Sequence, residues 1–234
     1  MTEETRVPAG VRDRLAVALD VDDLVVALRL ARELGPWFGT AKIGLELYSS
    51  VGPEAVTALN ELGFDVFCDL KFHDIPTTVN RAARVVGALG ARYLNLHAQG
   101  GVAMLRAGVD GLKQGAADAG LPEPLALAVT VLTSDGEAPP HILGKRVQAA
   151  LESGCDGIVC AASDVREAKQ YGPRLFAAVP GIRPAGTAAH DQARAATPRQ
   201  ALDAGADLLI IGRAVTAASD PRAAAAAIVA ELAG

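Results

Sequence analysis

Residues 69 to 78 run Asp-Leu-Lys-Phe-His-Asp-Ile-Pro-Thr-Thr directly behind an apolar run, Val66-Phe67-Cys68. If that run is a β-strand, side chains two apart share a face, so Asp69 and Lys71 point the same way. Charges at the end of a buried strand are costly unless they pair or do chemistry. The order minus, plus, minus over Asp69, Lys71 and Asp74 therefore suggests a built site. An ammonium flanked by carboxylates stays charged, can stabilise negative charge that develops beside it, and can deliver a proton.

Other charged or polar residues fall at comparable places. Asp20 closes one apolar run, Lys42 lies inside a second, His97 closes another, and Thr133 follows a fourth. Arg183 follows Val179-Pro-Gly-Ile, and Gly212-Arg213 follows Asp207-Leu-Leu-Ile-Ile. A lysine inside a strand could simply extend its stem to the barrel end. Asp20, Lys42 and Asp69 would stand on consecutive strands, however, and alternation of Lys with Asp keeps every member ionised. Gly212 would let backbone N–H groups approach an anion, and Arg213 could form paired hydrogen bonds to phosphate oxygens.

The elements that must position these groups alternate about eight times. Strands are predicted over 15–20, 41–47, 65–71, 93–97, 125–132, 157–162, 175–182 and 207–212. Helices are predicted over 22–34, 53–62, 77–89, 101–119 and 145–152, with a last one around the alanine run 223–227. Gly35, Gly63, Gly90, Gly154 and Gly205 are expected to stop helices before the next strand. Continuous apolar strands with intervening helices imply a parallel sheet covered on both sides, and eight such units fit a closed TIM (β/α)8 barrel. The first turn, Leu19-Asp20-Val21-Asp22, lacks the glycine fingerprint of a dinucleotide fold. Residues 1–234 read as one domain. Active sites of such barrels gather at the C-terminal strand ends, and the last two loops usually hold phosphate.

Bulk composition narrows the function class. The net charge of −5 comes with no basic cluster, so no nucleic-acid partner is expected. Cys68, Cys155 and Cys160 lie in or beside apolar runs without a CxxC, and read as buried thiols of a reducing compartment rather than metal ligands. Residues 1–14 mix acids and bases without the apolar centre of a signal peptide, and no apolar stretch reaches membrane-spanning length. The expectation is a soluble, cytoplasmic protein with no membrane partner.

Taken together, these motifs resemble the orotidine 5′-phosphate decarboxylase family over nearly the whole chain. The stretch Asp69 to Thr78 is similar to that family's central signature. Leu19-Asp20, Ala41-Lys42-Ile43-Gly44, Leu96-His97, Thr130-Val-Leu-Thr-Ser134, Val179-Pro-Gly-Ile-Arg183, Gln192 and Ile211-Gly-Arg213 follow in the expected order. The resemblance implies a cofactor-free and metal-free enzyme of UMP biosynthesis. In it Asp20 contacts ribose, Lys42 bridges ribose and the charge array, Asp69 lies beside the substrate carboxylate, and Lys71 donates the proton. Thr133 would face the pyrimidine. Arg183, Gln192, Gly212 and Arg213 would hold phosphate, Gln192 from a loop over 184–191 and beyond that closes on it. Asp74, Ile75 and Thr78 would reach the neighbouring subunit's site, which makes a homodimer part of the expectation.

Three rivals follow from the same residues. A magnesium-dependent sugar-phosphate decarboxylase or aldolase of the same barrel superfamily shares the Asp-x-Lys-x-x-Asp array, but Ile75-Pro76-Thr77-Thr78 favours the orotidine enzyme. A Schiff-base aldolase would use Lys42 or Lys71. A non-catalytic phosphate-ligand binder would leave the Asp/Lys array without a task. His73 reads as structural or solvent-facing, His97 as a group that orders hydrogen bonds, and Trp37 as packing.

Overall fold

The computed structural model describes residues 9–135, 138–139, 141–184 and 194–233. After α1 (Ala9–Arg12), the chain runs β1 (Leu15–Ala18), α2 (Leu24–Leu34), β2 (Thr40–Ile43), α3 (Leu45–Val51) and α4 (Glu54–Glu61). It continues through β3 (Asp65–Phe72), α5 (Pro76–Ala88), β4 (Tyr93–His97), a 3-10 turn (Ala98–Gly100), α6 (Gly101–Asp118) and β5 (Leu125–Val129). Then come α7 (His141–Ser153), β6 (Gly157–Val159), α8 (Ala162–Tyr171), β7 (Phe176–Val179), α9 (Pro198–Asp203), β8 (Leu208–Ile211), α10 (Arg213–Thr216) and α11 (Pro221–Ala233).

All neighbouring strands pair parallel in chain order, and β1 pairs with β8 to close the barrel. The TIM-barrel expectation holds. Local chemistry fixes the helix ends. The Asp23 carboxylate accepts from Val26 N–H at 2.8 Å, and Thr197 with Gln200 forms a reciprocal cap on α9. Proline opens α5, where its missing N–H costs nothing. Four of the predicted glycine stops, Gly63, Gly90, Gly154 and Gly205, have left-handed backbone, whereas Gly35 stays right-handed at φ −50° and bonds back to Ala31.

Two cores result from the strand alternation. The outward face of the sheet packs on the helices through residues such as Val17, Ile43, Val66 and Leu94. Inside the barrel, Ala16, Phe67, Tyr93, Leu127 and Leu208 form a separate plug. Tyr93 lies between the rings of Phe67 and Phe176, with centroid separations of 5.8 and 5.6 Å. Burial of each such aromatic stabilises the fold by about 1.5–3 kcal/mol and keeps water from the lower barrel.

Helices α5 and α6 touch along their backbones. A Cβ at Gly87 would lie 2.1 Å from Leu112 O, one at Gly111 2.2 Å from Asn80 O, and one at Gly115 1.9 Å from Arg84 O. No side chain fits there, so three hydrogen-only positions set the spacing of the pair.

Candidate active site

On the inner face, alternation carries the aromatic plug upward into charge. Phe67 and Asp69 share a face of β3, and Tyr93, Asn95 and His97 share one of β4. Lys42 stands at the same end of β2, beside Ala18 of β1 and Phe67 of β3 in register. Its Nζ lies 2.9 Å from Asp20 Oδ1 and 3.3 Å from Asp69 Oδ2. Lys71 Nζ lies 2.6 Å from Asp69 Oδ1. The chain of charge Asp20–Lys42–Asp69–Lys71 thus crosses three adjacent strands and their ends, as alternation of Lys with Asp predicted.

Lys71 reaches this place by an irregular route. Four steps along β3, from Cys68 to Phe72, match two along β4, from Leu94 to Leu96. The surplus forms a bulge, and Lys71 takes a left-handed φ of 48°, rare for a residue with a side chain. Simple alternation therefore explains Asp69 but not Lys71.

Burial and pairing oppose each other in the array. Burial raises the Asp69 pKa, but Lys42 and Lys71, with hydrogen bonds from Lys71 and Asn95, outweigh it and hold the carboxyl below the usual range. Burial likewise pulls Lys42 down, yet Asp69 and Asp20 leave it raised above an ordinary lysine. Both groups are thereby held in their charged forms.

A cavity of about 460 Å³ opens over this array. Asp20, Lys42, Asp69, Lys71, Thr133, Arg183, Gly212 and Arg213 all line it. Arg183 is buried, with Nη1 donating to Ile182 O at 2.9 Å and Nε left without a partner among the described residues. Burial, and then the like charge of Arg213, lower its pKa. Two guanidinium groups of like charge lining one cavity have the chemistry to attract a multiply charged anion. Gly181, with φ of 77°, turns the chain so that Arg183 N–H can donate to Ala196 O at 2.9 Å.

Asp74, Ile75 and Thr78 are not brought into this cavity. All three are exposed, and Asp74 accepts from its neighbour Ile75 N–H at 2.6 Å. Gln192 and His190 lie outside the described residues, as does the expected closing loop apart from Pro184. His73 is exposed and stacks on His97 at 5.5 Å between ring centroids, while His97 Nδ1 accepts from Gln99 N–H at 3.4 Å. Burial, with Arg146, His73 and Lys71 nearby, lowers the His97 pKa. The three thiols are buried, and burial pushes Cys68 and Cys160 up to about 12 and Cys155 to about 11. Such thiols are poor nucleophiles.

Sequence reasoning missed several participants. Glu46 and Thr216 also line the cavity. Arg194 grips both oxygens of Asp164 at 2.8 and 2.7 Å and donates to Leu132 O at 2.9 Å, which joins α8 to the loop after β5. Asn95 is buried behind Asp69, and the available signal was a lone amide two residues before His97 in an otherwise apolar strand.

Comparison with known proteins gives a consistent result. A family model described as orotidine 5′-phosphate decarboxylase / HUMPS family matches residues 13–228. The orotidine 5′-phosphate decarboxylase of Moorella thermoacetica is 45% identical over 233 residues, covering 94% of this chain and 92% of that protein. That of Thermobifida fusca is 45% identical over 232 residues, covering 93% and 95%. Among solved structures, the orotidine 5′-phosphate decarboxylase of Lactobacillus acidophilus superposes with a TM-score of 0.78 at 33% identity, covering 95% of this chain and 100% of that one.

Proposed function

The chain belongs to the orotidine 5′-phosphate decarboxylase / HUMPS family, and from that membership we propose that it converts orotidine 5′-phosphate to uridine 5′-phosphate and CO2. It is a carboxy-lyase of pyrimidine biosynthesis. The observation that carries the reading is one cavity lined both by the Asp20–Lys42–Asp69–Lys71 chain and by Arg183 with Arg213.

The residues divide the work as follows. The bond from C6 to the carboxylate breaks, and its electron pair stays on C6. The Lys71 ammonium lies against that carbon, stabilises the developing charge and transfers a proton to it, and solvent then reprotonates the amine. Asp69 faces the departing carboxylate and fixes Lys71 through the 2.6 Å contact. Asp20 and Lys42 hold the ribose, and Thr133 faces the pyrimidine. Arg183 and Gly212-Arg213, joined by Gln192, take the phosphate, whose binding energy organises a site remote from the breaking bond. No cofactor and no metal enter this scheme.

Asp74, Ile75 and Thr78 complete the site of a second copy in a homodimer. Their exposure in one copy, with Ile75 66% accessible, supports that reading. Residues 1–234 act as one domain in the cytoplasm, where three buried free thiols are at home.

The test is an assay of orotidine 5′-phosphate loss by absorbance, with and without a chelator. Full turnover in chelator is expected, and loss of turnover there would favour the magnesium-dependent relatives. Lys71→Ala is expected to abolish turnover. Arg213→Ala is expected to act mainly through phosphate binding.

A further inference from the structure

Asn95 is the one asparagine among the described residues whose side chain is wholly buried, and it lies in the middle of β4. A buried carboxamide is costly unless its donors and its acceptor are met. Its Nδ2 donates to Asp69 Oδ1 at 2.6 Å, and its Oδ1 accepts from Lys71 N–H at 2.7 Å. The amide orientation is fixed by these partners. Reversal would set oxygen against a carboxylate and an amino group against an N–H.

The two bonds span the bulge of β3. Regular pairing with β4 is lost between Cys68 and Phe72, so Lys71 N–H donates its hydrogen bond to a side chain of β4 instead of a main-chain carbonyl. The same residue holds the left-handed φ of 48°, an unfavourable conformation for a residue with a side chain that persists only where its surroundings impose it. Asn95 therefore fixes both ends of the segment: the carboxylate that holds the lysine and the backbone from which the lysine springs.

We propose that Asn95 is a positioning residue for the reaction, which sets the place of the Lys71 ammonium and the orientation of the Asp69 carboxylate without touching substrate. The inference rests on the decarboxylase reading above. Asp69 is also faced by Lys42 from β2 and by Lys71 on its own strand, with Asp20 beyond Lys42 and the Cys68 thiol behind it. Loss of the Asn95 donor leaves Asp69 with less to hold its proton off.

The test compares the parent enzyme with Asn95→Leu, which keeps the volume and removes both hydrogen bonds, and with Asn95→Ser, which keeps one small hydroxyl. Turnover, KM, the affinity for uridine 5′-phosphate and the pH profile of kcat are measured. A displaced reacting group costs about a hundredfold. Expected for Asn95→Leu is a kcat loss of that order, product affinity within about threefold of the parent, and an acid limb of kcat moved to higher pH. Asn95→Ser should fall between, and it carries the same three readouts if Asn95→Leu does not fold. Retention of kcat within about threefold, with an unmoved acid limb, would overturn the proposal. So would a parallel loss of kcat and product affinity, which marks a purely structural role. An inactive parent would sink the decarboxylase reading itself, whereas an active parent with an unaffected variant sinks only the role of Asn95.

Discussion

Gly44 sets how closely the loop after β2 approaches the first pair of charges. A Cβ there would meet Asp20 Oδ1 at 2.7 Å and Lys42 Nζ at 3.1 Å. Both are ends of flexible side chains, so the fold can yield while the charges move apart. Gly44→Ala should keep its melting temperature within a few degrees and lose about tenfold or more in kcat/KM, measured by steady-state kinetics beside a thermal melt. The array also dictates a pH response. The folded pKa of Asp69 lies below the unfolded value of about 3.9, so its stabilisation is present above that pH and lost as pH falls through the folded value. Lys42 is raised above about 10.4, so its contribution is present below that pH and lost as pH rises through the folded value. The melting-temperature gap between the parent and Asp69→Asn should therefore stay level from about pH 5 to 9 and close only at more acid pH. At this scale the sequence made most charges legible, because a charge set directly behind an apolar run is seldom there without a partner or a task. Asn95 was hidden because its one signal, a neutral amide inside a strand, names no partner, and its partners lie on the preceding strand across a bulge.

Helices α5 and α6 depend on what is absent between them. Gly115→Ala places a methyl group 1.9 Å from a backbone oxygen that cannot swing away, so the helices must part. The cost should be about 1–3 kcal/mol or more, read as a fall of several degrees in melting temperature. Helix α5 begins just after Asp74 and Ile75, so if those residues serve a second copy the same variant should disturb assembly before it disturbs product binding. Carboxylates at strand beginnings are a second device. Asp156 accepts from Ala126 N–H and from Lys113, and Asp207 accepts from Ala177 N–H and from Lys169, which ties neighbouring strands at the lower rim. Element types and order were legible because hydrophobic period and glycine stops agree. Strand ends were not. The predicted strands at 125–132 and 175–182 overran because Val131 and Ile182 remain buried after the ladder ends. The predicted strand 41–47 ran into α3, where Leu47 is buried on a helix and Leu45 is 60% exposed. Hydropathy reports burial, and burial does not stop where strand pairing stops.

The whole molecule was legible as a barrel because eight alternations leave few other ways to cover a parallel sheet. Its assembly is the larger question. If Asp74 serves the partner's site, an inactive Lys71→Ala protein and a crippled Asp74→Ala protein should rescue each other when mixed and re-associated. Random pairing gives about half mixed dimers, each with one intact site, so activity should recover to about a quarter of the parent's. Absence of recovery despite subunit exchange would place Asp74 in its own subunit's chemistry or outside catalysis. The closure of β8 on β1 has a further consequence, in time rather than in space. Asp20 follows the first strand and Arg213 the last, and the pairing of Leu15 with Leu209 and of Val17 with Ile211 brings them to one cavity. A nascent chain therefore carries the carboxylates and lysines of its site long before Arg213 exists, and until β8 emerges both β1 and β7 present open edges. Synthesis thus delivers an unfinished sheet whose final strand both seals it against wrong neighbours and supplies the last part of the site.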